Sequence, residues 1–282
     1  MSPILEALLA GSAVVMAAVT LVWLLSVRKR DASIVDVFWG LGFVLAAWVY
    51  RGLGPPAGWR QWLVLALVTI WGVRLAGYIF WRSRGHGEDY RYREMRRRAG
   101  PGFWWKSYFT VFLLQGVLLL AISTPLLAVQ AGDAGAAWRW SDLVGLALWI
   151  VGFFFEAVGD SQMARFKADP ANRGRVLRRG LWAFTRHPNY FGDAALWWGF
   201  FLFALAVPWG FWTLPSVLVM NLLLLKVSGV ALLEKTIVER RPEYREYIDD
   251  TPAFVPWTLL GVRRSAGRRR TEGGGVRFGD DP

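Results

Sequence analysis

The sequence predicts an all-α polytopic membrane protein with seven transmembrane helices, the N-terminus outside and the C-terminus in the cytoplasm. Three observations predict it. Of the 282 residues, 55% are hydrophobic and 19% charged, below the roughly 25% charged that soluble domains carry. The apolar residues gather in blocks such as Leu8 to Val27, Trp62 to Trp81 and Val111 to Val129, and about 20 such residues in a helix cross a hydrocarbon layer about 30 Å thick. The 33 Lys and Arg residues fall mostly in alternate connections between these blocks, as the positive-inside rule requires. A soluble globular enzyme is excluded.

The first span is read at residues 4–27. It has no basic segment before it and ends in Arg28-Lys29-Arg30, so it is expected to remain as a helix and not to be removed as a signal peptide. Pro, Gly and charged punctuation then separates spans at 33–50, 61–81, 104–129, 142–163, 190–207 and 211–233. Basic residues number 3 in segment 28–32, 8 in 82–106, 7 in 164–189 and 10 in 234–282. The opposite connections hold only Arg51, Arg60 and Arg139, while Arg74 and Lys226 fall within spans. The net charge of +12 is thereby read as topology, and no nucleic-acid partner is expected. Residues 1–262 form one membrane domain. Residues 263–282, with Arg268-Arg269-Arg270 before Gly273-Gly274-Gly275, are expected to be a disordered basic tail.

The two long basic connections, 82–103 and 164–189, are polar and contain acids and aromatics, whereas the opposite ones are short and rich in Gly, Pro and Ala. Chemistry that needs polar groups is therefore expected at the cytoplasmic face of an inner, plasma-membrane protein. Ionisable residues inside spans cost several kcal/mol unless paired or hydrated, which singles out six positions. Asp36 lies early in the second span. Arg74 and Tyr78, four apart on the third, share a helix face, and Glu156 and Asp160 repeat that spacing on the fifth. Asp193 lies one turn into the sixth. Each has a plain alternative: a first-turn charge for Asp36 and Asp193, an interfacial anchor for Tyr78, a hydrated helix end for Glu156 with Asp160. Their shared depth favours one polar cavity opening inward.

The densest stretch is Gly180-Leu181-Trp182-Ala183-Phe184-Thr185-Arg186-His187-Pro188-Asn189-Tyr190-Phe191-Gly192-Asp193. Pro188 sets the start of a helix that Asn189 can cap, which leaves Arg186, His187 and Asp193 unexplained. His187 and His86 are the two histidines, and the chain has no Cys. A disulfide scaffold, a thiolate metal site and a Cys nucleophile are thus excluded, and no metal is expected. No Ser nucleophile elbow, Rossmann fingerprint or P-loop is present.

Four blocks carry a resemblance: Ser33 to Gly42; Trp71-Gly72-Val73-Arg74-Leu75 through Glu88-Asp89-Tyr90-Arg91-Tyr92; Asp160 through Asn172-Arg173-Gly174 to Asp193; and Leu233-Glu234-Lys235 through Phe254-Val255-Pro256-Trp257. Over roughly residues 30–260 the chain resembles the membrane-bound steroid 5α-reductase superfamily, most closely its bacterial branch. The resemblance implies a seven-helix enzyme that uses NADPH to reduce a carbon–carbon double bond conjugated to a ketone, with a lipophilic enone reaching the site from the bilayer and no protein partner. In that family a Glu and a Tyr bind the substrate carbonyl, and Asp36 and Tyr78 match them as catalytic residues. Val35 stands where the steroid enzymes have a Gln. The residues matching the cofactor site are Asp160, Asn172, Arg173 or Arg175, Arg179, His187, Asn189 and Asp193, with Glu88, Asp89, Arg91 and Tyr92 from the earlier connection. The implied mechanism has the Tyr78 hydroxyl, oriented by Asp36, hold the enone oxygen while hydride is delivered to the β-carbon.

Phosphate groups need planar guanidinium donors, which agrees with the Arg cluster, and acids with Asn can take ribose hydroxyls and a carboxamide. Two rivals remain open on the sequence. One is an isoprenylcysteine-type S-adenosylmethionine methyltransferase, similar in the Arg186-to-Tyr190 motif, whose sulfonium cofactor lacks phosphates. The other is a non-catalytic lipid-binding or transport protein in which Asp36 and Arg74 pack helices or gate.

Overall fold

The computed structural model describes residues 2–227, Glu234, Ile237 and 244–256. Among them every regular element is helical and there is no strand. α1 (Pro3–Lys29) begins where the Ser2 side chain accepts from the Leu5 amide and Pro3 presets the first turn, and it ends as Arg30 adopts a left-handed conformation. α2 (Ile34–Leu53) and α3 (Trp59–Ser83) follow. Within the expected polar connection stands a polar helix, α4 (Tyr90–Ala99), started by Asp89 accepting from the Arg91 amide. Its Arg-rich sequence carries no apolar stripe, so periodicity does not reveal it.

The expected fourth span is broken into α5 (Phe103–Ser107), a π-helical turn over Tyr108–Leu113, α6 (Leu114–Ile122) and α7 (Thr124–Ala131). Pro125 has no amide hydrogen to continue α6, so the helix restarts at Thr124. α8 (Trp140–Ala168) and α9 (Pro188–Ala204) come next. The cap expected of Asn189 is not made. His187 precedes the helix without a side-chain cap, and Asn189 sits in the first turn, where its amide is aimed across at α8. A short turn over Gly210–Thr213 leads to α10 (Leu214–Leu222) and a π-helical turn at Leu223–Val227, and α11 is Tyr244–Asp250.

Five stretches are long and apolar enough to cross a membrane: Pro3–Lys29, Ile34–Leu53, Trp59–Ser83, Tyr90–Ile122 and Trp140–Ala168. That is the pattern of an integral membrane protein. The expected sixth span is shorter here, since α9 has 17 residues. Of the expected seventh, the apolar stretch Gly210–Lys226 is described, while residues 228–233 lie outside the described residues, as does the tail 263–282.

Hydrogen bonds sort the connections onto two ends of the bundle. At the basic end the Ala32 amide donates to Glu88 at 2.8 Å, the Asp89 amide to the Ser33 hydroxyl at 3.3 Å, and Arg186 to the Ile248 carbonyl at 2.8 Å. At the opposite end Arg51 donates to the Gln130 carbonyl and the Trp59 indole to the Ala136 carbonyl, both at 2.8 Å. Exposed tryptophans mark the same two levels. Trp81, Trp104 and Trp105 ring the basic end, and Trp138, Trp140 and Trp212, the last 79% exposed, ring the other. Rings that combine an apolar body with one polar N–H belong at two membrane–water interfaces.

Helix pairing positions the site. α8 runs along α9, and α2 lies between α1 and α3. The α8–α9 contact is close because glycines face each other. A Cβ on Gly152 would stand 2.5 Å from the Gly192 carbonyl oxygen, and one on Gly145 2.9 Å from that of Gly199. Small residues let membrane helices approach backbone to backbone. Gly152→Val is therefore expected to force α8 and α9 apart and destabilise the protein by about 1–3 kcal/mol, the scale of overpacking. Thermal melting in detergent checks this, and a variant melting with the wild type would contradict the close approach.

Candidate functional site at the basic end of the bundle

Helical spacing puts Trp71, Arg74 and Tyr78 on the side of α3 that meets α8, and Glu156 and Asp160 on the side of α8 that meets α3. Arg74 bridges the two acids, with 2.8 Å to Glu156 Oε1 and 2.7 Å to Asp160 Oδ2. The Trp71 indole donates to Glu156 Oε2 at 2.9 Å, and Asn189 from α9 donates to Asp160 Oδ1 at 3.2 Å. Glu156 and Asp160 are buried. Asp193, one turn along α9 from Asn189, lies close enough to Glu156 and Asp160 for their charges to interact. Its Oδ1 is buried and makes no hydrogen bond among the described residues. Three carboxylates around one guanidinium leave acceptor capacity over, which suits a ligand rich in N–H or O–H donors.

The Tyr78 hydroxyl donates a long bond, 3.3 Å, to the Asp160 backbone carbonyl. The Arg74 and Arg82 guanidiniums lie 5.3 and 5.5 Å from the centre of its ring. It lines an open groove of about 460 Å³ between α3 and α8, together with Arg74, Trp81, Ser161 and Arg165. A second cavity of about 310 Å³ lies round the side of α8, lined by Gln162, Arg165, Asn172 and Arg179 among others.

Asp36 belongs to a different cluster. Its Oδ1 accepts from the Tyr92 hydroxyl at 2.6 Å, and its Oδ2 is 2.7 Å from Arg91. Gln115 in turn donates to the Tyr92 oxygen at 3.3 Å. The expected pairing of Asp36 with Tyr78 is thus corrected: the phenol that Asp36 holds is Tyr92. The reason is α4, which folds back over the start of α2 and brings Tyr92 and Arg91 to Asp36. Burial alone would raise Asp89, but its hydrogen bonds with Arg91 hold the carboxyl below the ordinary value. Glu88 is taken up by Arg96, at 2.8 Å, and by the Ala32 amide. Glu88, Asp89, Arg91 and Tyr92, expected at the cofactor from this connection, fasten α4 to the bundle here; like Asp160, Asn189 and Asp193, they line neither cavity.

His187 stands in a third cluster. It is buried, its Nε2 lies 3.0 Å from Glu234 Oε1, and its ring stacks on Tyr190 at 5.5 Å. Glu234 also takes Arg186 at 2.7 Å, and Arg186 donates to the Thr251 carbonyl. Burial would raise Glu234, yet the hydrogen bonds from His187 and Arg186 keep it below the usual carboxylate range. This network pins the C-terminal segment onto the start of α9. Asn172 donates to the Phe166 carbonyl at 3.0 Å, closing the turn after α8, while still lining the second cavity. Arg179 lines that cavity, and Arg173 and Arg175 are exposed outside it.

Of the sequence-derived candidates the structure brings Tyr78, Asp160, Asn189 and Asp193 together, with Arg74 and Glu156. The sequence reading missed Trp71 and Gln162 as members of the site. Trp71 looks like one more apolar residue of a span until its indole N–H meets a carboxylate. Gln162 lies two residues beyond Asp160 with no motif to mark it.

A model of a protein family described as a protein of unknown function (DUF1295) matches residues 22–251. An uncharacterized protein of Schizosaccharomyces pombe, C594.04c, is 29% identical over 266 residues, covering 83% of this chain and 75% of the yeast protein. No solved structure matches the chain.

Proposed function

We propose that this chain, which belongs to the DUF1295 family, is a seven-span membrane reductase that uses NADPH to reduce the double bond of a lipophilic α,β-unsaturated ketone, such as a 3-oxo-Δ4 steroid. Its basic end would face the cytoplasm, where the nucleotide is available, with the N-terminus on the opposite side. The observation that carries the reading is the contact of Asp160 with Asn189 at 3.2 Å across 29 residues of sequence, with the buried Asp193 Oδ1, which makes no hydrogen bond among the described residues, on the same helix as Asn189; Arg179 and Asn172 line a separate cavity on another side of α8. These residues match the cofactor positions of the steroid 5α-reductases that the sequence resembles. α9 and the stretch beginning at Gly210 supply the sixth and seventh spans of this topology.

The residues fit the cofactor. Surplus carboxylate acceptors at Asp160 and Asp193 suit the N–H and O–H donors of a carboxamide and ribose, and Arg179 at the open rim suits a phosphate. Bound there, NADPH would supply the hydride that, with one proton from water, adds two hydrogens and two electrons across the double bond. Tyr78 would donate a hydrogen bond to the enone oxygen as negative charge develops there. Its long bond to a backbone carbonyl leaves that donor easy to redirect, and the nearby guanidiniums of Arg74 and Arg82 favour the charge. Asp36 acts one step removed, by holding α4 through Tyr92 and Arg91.

Thermal stabilisation in detergent by NADPH or by S-adenosylmethionine tests the reading, because a ligand bound only by the native state raises apparent stability. NADPH is expected to stabilise, and Arg179→Ala to weaken its binding by about 1–3 kcal/mol. Stabilisation by S-adenosylmethionine alone would replace the reductase with a methyltransferase.

A further inference from the structure

We infer that Arg165 binds the pyrophosphate of a dinucleotide laid across the basic end of α8, with one end in the Tyr78 groove and the other in the Arg179 cavity. The inference rests on the reductase reading and adds a residue that the family resemblance does not supply. The groove and the cavity share one wall residue, Arg165. The turn of the helix explains why. At about 100° per residue, Ala157, Ser161 and Ala164 face the groove, Gln162 and Phe166 face the cavity, and Arg165 falls between.

Arg165 is exposed and makes no hydrogen bond or ion pair among the described residues. Arg74, on the groove wall opposite, is already bound to two carboxylates. A guanidinium without a partner presents its planar fork to two phosphate oxygens at once. The length also fits. From Asp160 to Asp169 α8 rises about 14 Å, a path that one phosphate ion leaves mostly empty and two joined nucleotides occupy. The small side chains of Ala157, Ser161 and Ala164 leave the groove open for one of them. An anionic phospholipid headgroup offers the same phosphate oxygens, so the experiment must separate the two sources.

The test uses the full chain in phosphatidylcholine nanodiscs, with and without phosphatidylglycerol, and measures binding of NADPH, ADP-ribose and 2′-AMP by calorimetry. Arg165→Gln is expected to weaken NADPH and ADP-ribose by about tenfold or more, as for loss of a charged hydrogen bond, with Arg165→Lys recovering part. 2′-AMP, which lacks the pyrophosphate, is expected to bind both proteins alike. Equal NADPH affinity in wild type and Arg165→Gln overturns the inference and leaves the reductase reading standing. A 2′-AMP affinity that falls in step points to long-range charge and overturns the direct contact. Phosphatidylglycerol binding lost in Arg165→Gln while NADPH affinity is unchanged gives the guanidinium to lipid and overturns it also. Wild-type protein that binds no NADPH overturns the reductase reading itself.

Discussion

Tyr78→Phe is expected to lower turnover of a 3-oxo-Δ4 steroid by about 10²-fold or more while NADPH affinity and melting temperature stay near those of the wild type. The substitution keeps the ring that lies beside Arg74 and Arg82 and removes only a hydroxyl whose bond to the Asp160 carbonyl is 3.3 Å long. Folding therefore loses little, whereas loss of one donor to a developing oxyanion costs about 2.7–4 kcal/mol. Tyr92→Phe supplies the comparison. The Tyr92 hydroxyl is engaged by both Asp36 and Gln115, so its loss is expected to loosen α4 and lower the melting temperature more than turnover at a permissive temperature. If Tyr92→Phe is the dead enzyme and Tyr78→Phe turns over normally, the carbonyl site lies at Asp36 and Tyr92, and the roles assigned on α3 are wrong.

Arg60→Ala is expected to destabilise the protein by about 3–5 kcal/mol, the largest stability effect anticipated, because it leaves a buried carboxylate uncompensated. Arg60 and Asp142 are both fully buried and 2.7 Å apart. Arg60 also donates to the carbonyls of Ala134, Gly135 and Ala137, which closes the connection between α7 and α8 over the start of α3. Removing both charges with similar volume, as in Arg60→Met with Asp142→Leu, is expected to recover much of the loss. Denaturation in detergent measures both. An Arg60→Ala protein as stable as the wild type would mean that water reaches Asp142.

The contrast between Arg60 and Arg74 shows how far the sequence is legible. Both are single arginines near apolar runs. Arg74 can be marked as functional from sequence because it lies well inside a span, where an unpaired charge is costly, and because Tyr78, Glu156 and Asp160 recur at helical spacing. Arg60 stands at a span's edge beside a short connection, where an arginine at the interface needs no partner, so nothing local points to Asp142, 82 residues away. The same limit applies to Asp36. Its cost inside a span is legible, and its partner is not, because α4 has no apolar period and the way it folds back is set by pairings such as Glu88 with the Ala32 amide. His187 shows the same limit. Its motif is legible, but its packing against Tyr190 and its bond to Glu234, 47 residues away, are not.

What the sequence determined by itself is whatever depends on one segment at a time. Apolar length and alternating basic connections specify a helical membrane protein, and four-residue spacing specifies which ionisable side chains share a helix face, since both follow from the rise and pitch of a single helix. Only the tertiary structure decided which faces meet. The glycine contacts of α8 with α9 bring Asn189 to Asp160, the reach of Arg74 joins α3 to α8, and the fold-back of α4 gives Tyr92 to Asp36. These pairings depend on the packing of helices distant in sequence, where a Cβ placed 2.5 Å from a carbonyl oxygen at Gly152 would separate elements that no local pattern joins.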